Sequence, residues 1–166
     1  MNDIRLLVLD VDGVLTDGKL YYGPSGEVAK SFHVQDGYGL RKLMHAGIQV
    51  AIISGRPSDG AAIRFRELEI EHVFLACKAK RDTLTSLQSK LGITPEQTAV
   101  IGDDLPDLEM MACAGLSIAV ANAHPTVRAR VDVITRHNGG EGAVREVCDA
   151  ILYGAPDFPL FEPPSQ

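Results

Sequence analysis

Residues 6–18 read "LLVLDVDGVLTDG": four apolar residues, Leu6 to Leu9, lead almost directly into Asp10 and Asp12, and Gly13 follows at once. An apolar run of this length bounded by turn residues reads as a parallel strand buried on both faces. Its two carboxylates then stand where the strand passes into a loop, which is the edge where ligands bind in open α/β sheets. Like charges there are costly unless a cation offsets them, and a divalent metal with a phosphate beside it meets that need. A bare DxD also fits a surface turn with solvated acids, so the rest of the chain has to decide.

Working outward, strand patterns recur at "IRLLVLD", "IQVAIIS", "HVFLA", "TAVIGD", "LSIAVA" and "VDVIT". Helical patterns separate them around Gly39 to Ala46, Asp59 to Leu68, Asp82 to Leu91, Asp107 to Ala114 and Ala143 to Tyr153. This alternation predicts an α/β fold with a doubly wound, mostly parallel sheet and right-handed crossovers. The exception is "KLYYGPSGEVAKSFHV", residues 19–34, which alternates about Gly23, Pro24, Ser25 and Gly26 and reads as a β-hairpin projecting from the same edge. There is no room for a cap domain. Residues 1–153 are expected to form one domain, and residues 154–166 an extended tail, because four of the nine prolines fall there. That tail, with Phe158 and Phe161, either is disordered or docks on a neighbouring subunit.

At 166 residues and 45% hydrophobic content the chain suits one compact core. A formal net charge of -6 without a basic block argues against binding a nucleic-acid backbone. No stretch approaches the roughly 18 apolar residues of a membrane span, and "MNDIR" opens a strand rather than a leader. Cys77, Cys113 and Cys148 are odd in number and lack CxxC spacing, so free thiols in a reducing, cytoplasmic compartment are expected. The five histidines show no metal-ligand spacing.

The chemistry-bearing residues gather at strand ends. The second sheet strand ends in "IISGR", placing Ser54 and Gly55 ahead of a helical pattern, a seat for phosphate. The third is followed by "CKAKRD", offering Lys78 or Lys80, and the fourth ends in "GDDLPD" with Asp103, Asp104 and Asp107. Each alone is weak; together they converge on one crevice.

In that order, "DVDGVLTDG", "SGR", the lysine and "GDDLPD" resemble the four motifs of the haloacid dehalogenase superfamily of phosphohydrolases. The further stretches "DGYGLRKL", "VANAHP" and "GGEGAVREVCD" are similar to its capless branch, whose members act on 3-deoxy-D-manno-octulosonate 8-phosphate or on nine-carbon sialic-acid-type 9-phosphates. The resemblance implies a phosphatase working through an aspartyl-phosphate, with Asp10 as nucleophile and Asp12 as general acid and base. It implies Mg²⁺ held by Asp10, the Asp12 backbone carbonyl and Asp103, and phosphate bound by Asp12, Gly13, Ser54, Gly55 and Lys80. Family spacing to "GDD" prefers Lys80 over Lys78. Asp104 and Asp107 would support the site, although Asp107 also reads as a helix N-cap. Arg56 and Arg64 would face the substrate carboxylate, although Arg64 also fits a solvated helix face. Glu141 stands where the octulosonate enzymes often carry arginine, and an acid there resembles some nine-carbon relatives. The resemblance implies a homo-oligomer, a tetramer, with the hairpin and the tail roofing a neighbour's site. A receiver-type phospho-acceptor or an inert regulatory domain is the competing reading. An acid two residues after the nucleophile favours turnover over storage of the phosphoryl group.

Overall fold

The computed structural model describes residues 3–154 and 161–162. Its sheet begins with β1 (Leu6–Leu9), whose four side chains are all buried, as the uninterrupted apolar run requires. The hairpin follows as β2 (Tyr21–Gly23) and β3 (Gly26–Ala29), a separate antiparallel pair closed by Pro24 and Ser25. Next come α1 (Val34–His45), β4 (Gln49–Ile53), α2 (Asp59–Glu67), β5 (His72–Phe74), α3 (Lys80–Leu91) and β6 (Thr98–Gly102). The chain continues with α4 (Leu108–Met111), β7 (Leu116–Ala119), α5 (Pro125–Arg128), β8 (Val133–Thr135), α6 (Ala143–Tyr153) and β9 (Phe161–Glu162).

The main sheet runs β5-β4-β1-β6-β7-β8-β9. Its first six strands are parallel, and only the two-residue β9 pairs antiparallel, on β8. From β1 the chain travels one way through β4 to β5, then returns to β6 and travels the other way, so the order reverses between β1 and β6. Right-handed crossovers in opposite directions place the connecting helices on opposite faces. In agreement, α1 packs on α6 and α3 on α4. The reversal opens a crevice at the carboxyl ends of β1 and β6, and these strands end in Asp10 and Asp103.

Element positions follow the sequence reading, with local differences. Helix α1 begins at Val34, which the hairpin reading had included, because His33 offers no side-chain cap to announce the start. Helix α3 begins at Lys80 and not Asp82, after Ala79, which likewise caps nothing. The pattern at Asp107 to Ala114 resolves into a 3₁₀ turn at Leu105–Asp107 and the single turn of α4, since Pro106 sits at the start of that turn. Helix α5 went unread, being too short for periodicity. Of the tail, only the backbone of Phe161 and Glu162 is described, as β9; the expected docking of Phe158 to Phe161 otherwise lies outside the described residues.

Candidate active site

The turn after β1 is stitched by Thr16. Its buried hydroxyl accepts from the Gly13 and Gly18 amides at 3.3 and 3.2 Å and donates to the Val11 carbonyl at 3.4 Å. Gly13 needs to be glycine twice over: its φ is +88°, and a Cβ there would lie 2.1 Å from Asp103 Oδ2. The backbone after Asp12 therefore lies directly against the Asp103 carboxylate.

Buried Asp10 accepts a hydrogen bond from Lys80 Nζ at 2.8 Å, and the same ammonium donates to Asp107 Oδ1 at 2.7 Å. Lys78 is exposed, so of the two lysines it is Lys80 that the start of α3 turns into the crevice. Asp107 Oδ2 accepts from the Asp103 and Asp104 amides at 3.0 and 3.2 Å, closing the capping box of the turn whose N-cap is Asp104; at the start of α4, where it reads as an N-cap, its side chain makes no cap. A Cβ on Gly102 would meet Asp107 Cβ at 2.5 Å, which explains the glycine that ends β6. Asp104 accepts from the Leu105 amide at 2.8 Å.

Asp12 is held differently. Lys30, on the return of the hairpin, pairs with its Oδ1, and Arg56 Nε approaches its Oδ2 at 3.3 Å. Arg56 also donates to the Tyr22 hydroxyl at 3.4 Å. Buried Ser54 and the exposed Gly55 and Arg56 complete one wall of a cleft of about 550 Å³ that also reaches Asp10, Asp12, Lys80 and Asp103. Arg64 is not brought to this cleft. It pairs with Glu67 at 3.4 Å and lies over Gly37, where a Cβ would meet its Nη2 at 2.5 Å. Glu141 is exposed and accepts from Asn138 Nδ2 at 3.1 Å.

Burial, with Asp107 nearby, pushes the Asp10 carboxyl up to about 6 against the pull of Lys80. Burial and the charges of Asp107, Asp10 and Asp104 push Asp103 further, to about 8. Lys80 feels burial most, yet its two aspartate partners hold its pKa above the ordinary value. Oxygens of Asp10, Asp103 and Asp107 lie within 4.8 Å of one another, with one lysine against three acids. Such a site is short of positive charge and rich in hard oxygen donors, the chemistry that suits Mg²⁺. The oxygens of Asp107 are already taken by Lys80 and two amides, which leaves Asp10 and Asp103 to face a cation.

Lys30 was not singled out from the sequence. A lysine in a hairpin is ordinary, and only the fold over of the hairpin foot brings it to Asp12; Phe32, packed edge-to-face on Phe65 of α2 with centroids 5.9 Å apart, anchors that foot. The one available signal was that the hairpin was expected at the site edge.

Residues 78–147 match the model of the haloacid dehalogenase-like hydrolase family. The chain is 49% identical over 150 residues to the 3-deoxy-D-manno-octulosonate 8-phosphate phosphatase of Escherichia coli strain K12, covering 90% of this chain and 80% of that one. The cobalt-bound form of the Haemophilus influenzae deoxy-D-mannose-octulosonate 8-phosphate phosphatase superposes with a TM-score of 0.89 at 47% identity, covering 91% of this chain and 88% of that one. The Moraxella catarrhalis 3-deoxy-D-manno-octulosonate 8-phosphate phosphatase, in complex with magnesium ion, phosphate ion and KDO, gives 0.89 at 45% identity, covering 95% and 91%.

Proposed function

Since the chain belongs to the haloacid dehalogenase-like hydrolase family, we propose that it is a Mg²⁺-dependent phosphatase that converts 3-deoxy-D-manno-octulosonate 8-phosphate to KDO and phosphate, a step toward lipopolysaccharide. The observation that carries the reading is Asp10 and Asp12 at the end of β1, facing Asp103 across the point where strand order reverses, in a chain half identical to such enzymes over nine-tenths of its length.

Asp10 is the nucleophile. Its carboxylate attacks phosphorus, the bond from phosphorus to the sugar oxygen breaks, and Asp12 gives its proton to that oxygen. Water then attacks the aspartyl-phosphate while Asp12 takes the water's proton, and phosphate leaves as the Asp10 carboxylate is restored. Lys80 keeps Asp10 oriented and stabilises charge on the transferring group, with Ser54 and the Gly55 amide on its other side. Mg²⁺, held by Asp10, the Asp12 carbonyl and Asp103, would neutralise the acids and the phosphate oxygens. Asp107 and Asp104 hold the loop that presents Asp103.

Asp12 rests between Lys30 and Arg56. For it to serve as an acid this grip must loosen. The anionic groups of the substrate, its carboxylate above all, draw Arg56 away from Asp12. Arg64 has no part in this unless a second copy brings it near.

The catalytic unit is residues 1–153, to whose sheet Phe161 and Glu162 of the tail add a short strand on β8. A homo-oligomer, a tetramer by resemblance, suits the exposed Tyr21 and Tyr22 of a hairpin that has no cap domain beneath it. A cytoplasmic setting suits the free thiols of Cys77, Cys113 and Cys148. Among the described residues no helix is long and apolar enough to cross a membrane.

Phosphate release from the octulosonate 8-phosphate and from a nine-carbon 9-phosphate, with Mg²⁺ and with chelator, tests the reading. The first substrate should be preferred and chelation should abolish turnover. Preference for the nine-carbon ester would change the substrate, and no release from either would overturn the function. Light scattering during the assay tests assembly: a fully active 17.9 kDa monomer removes the oligomer.

A further inference from the structure

We propose that Glu146 and Asn122 are positioning residues, which fix the Asp10–Asp12 turn from behind through the glycine pair Gly139–Gly140. Glu146 is on α6, far from the cleft lining, and its carboxylate is buried. It accepts from the Arg136 amide at 3.1 Å with each oxygen, and its Oε2 accepts from the His137 amide at 3.1 Å and pairs with His137 Nδ1 at 2.8 Å. A carboxylate that collects several donors on successive backbone positions sets the course of that backbone. From the other side Asn122 Oδ1 accepts the Gly139 amide at 2.9 Å.

The strand end so fixed is pressed on the catalytic turn. A Cβ on Gly139 would lie 1.6 Å from the Gly13 carbonyl oxygen, and one on Gly140, where φ is +70°, would lie 2.4 Å from Asp17 N. The Gly140 amide donates to the Val14 carbonyl at 2.9 Å. Gly13 is thus held between Gly139 and the Asp103 carboxylate, with backbone on one side and an acid on the other. Since Asp12 immediately precedes Gly13, the placement of its carbonyl and carboxylate depends on that vice. A displacement on the order of 1 Å at such a group costs about 10²-fold in rate, and sites hold their geometry only through residues of this supporting kind.

The proposal rests on the phosphatase reading for its kinetic arm, while hydrogen exchange reads it without substrate. In Glu146→Gln a carboxamide N–H₂ faces donors that need an acceptor, and in Asn122→Ala the Gly139 amide loses its partner; Asn122→Asp keeps the oxygen. Glu146→Gln should lower kcat about tenfold or more with KM within about threefold. Amide exchange at residues 13–17 and 139–140 should quicken about tenfold while that of α3 stays put. Asn122→Ala should act in the same direction more weakly, and Asn122→Asp should restore kcat to within about twofold of the parent. If Glu146→Gln does not fold, the Asn122 pair decides. A lower melting temperature with unchanged kcat and unchanged exchange at residues 13–17 makes these residues ordinary stabilisers and overturns the proposal. Equal loss in Asn122→Ala and Asn122→Asp does the same. Exchange that quickens in a protein inactive on every phosphate ester would sink the phosphatase reading and leave the bracing intact.

Discussion

The sheet edge and the hairpin both supply a lysine to an aspartate of the same motif, yet they are built in opposite ways. Lys80, Asp10 and Asp107 sit almost wholly inside the protein, with each contact made by an element whose place the sheet dictates. The hairpin is two short strands outside the sheet, with Tyr21 and Tyr22 49% and 63% exposed, and it reaches the site through Lys30 and the Tyr22 hydroxyl. Charge at the sheet edge is expensive and tightly compensated, as suits groups that must not move. Contact at the hairpin is sparse: the Lys30 side chain is buried, but the Asp12 and Arg56 side chains beside it are 22% and 44% exposed, as suits groups that yield to a substrate. The difference separates a rigid part of the site from one whose side chains are partly open to solvent.

The sharpest break of that contrast is at Asp10. Asp10→Asn removes the nucleophile while keeping its shape, so phosphate release should fall by more than about 10³-fold. Burial is the largest influence on Asp10, so the neutral amide should raise the melting temperature of the metal-free protein. Activity within tenfold of the parent would mean that a different residue attacks. Lys80→Met comes next. It leaves three crowded acids without their ammonium, with a cost of about 3–5 kcal/mol for a broken buried pair and about 10²-fold in kcat. Denaturant unfolding and initial rates report the two losses separately.

Titration sharpens the electrostatic side. The unfolded chain releases the Asp10 and Asp103 protons near pH 4, whereas the folded, metal-free chain holds them to about 6 and about 8. Between those limits the native state binds more protons, so stability should fall as pH rises from about 4 to about 8 and level off above. Mg²⁺ should reverse the trend. At a hundredfold excess over its Kd it adds about 2.7 kcal/mol, or about 5–10 °C for a chain of this size. Asp103→Asn should remove the upper part of the pH slope and most of the Mg²⁺ shift. Thermal melts across pH, with and without the ion, check both; a metal-free protein that gains stability through pH 6–8 would refute the assignment.

Legibility follows the same division. Leu6–Leu9, Gln49–Ile53 and Thr98–Gly102 were plain because burial on both faces demands continuous apolar runs. Ala143–Tyr153 was plain because one apolar face repeats over three turns. Asp10, Asp12, Ser54 and Asp103 were readable because strand ends bring them to one edge whatever the loops do, whereas Lys80, six residues beyond β5 at the start of α3, was told from Lys78 only by the family spacing. Lys30 and the Glu146 brace were not readable, since each depends on how an irregular segment folds across another element. Arg64 marks the same boundary: a helix face can be read from its period, but not which neighbour that face meets. Neither does periodicity reveal α5, four residues long, or the antiparallel β9.

The smallest expected effect lies in the hairpin and asks whether Lys30 tunes the site or belongs to its fixed core. Its ammonium is buried and paired with Asp12, the group that must be charged in one half of the cycle and protonated in the other. Lys30→Met should therefore lower kcat by about tenfold, less than Lys80→Met. Lys30→Arg, which keeps the charge, should recover most of the rate. Tyr22→Phe, which removes only the long contact to Arg56, should change kcat/KM by less than about threefold. A loss in Lys30→Met as deep as that in Lys80→Met, with no recovery in Lys30→Arg, would place the hairpin lysine in the rigid machinery and erase the distinction between the two regions.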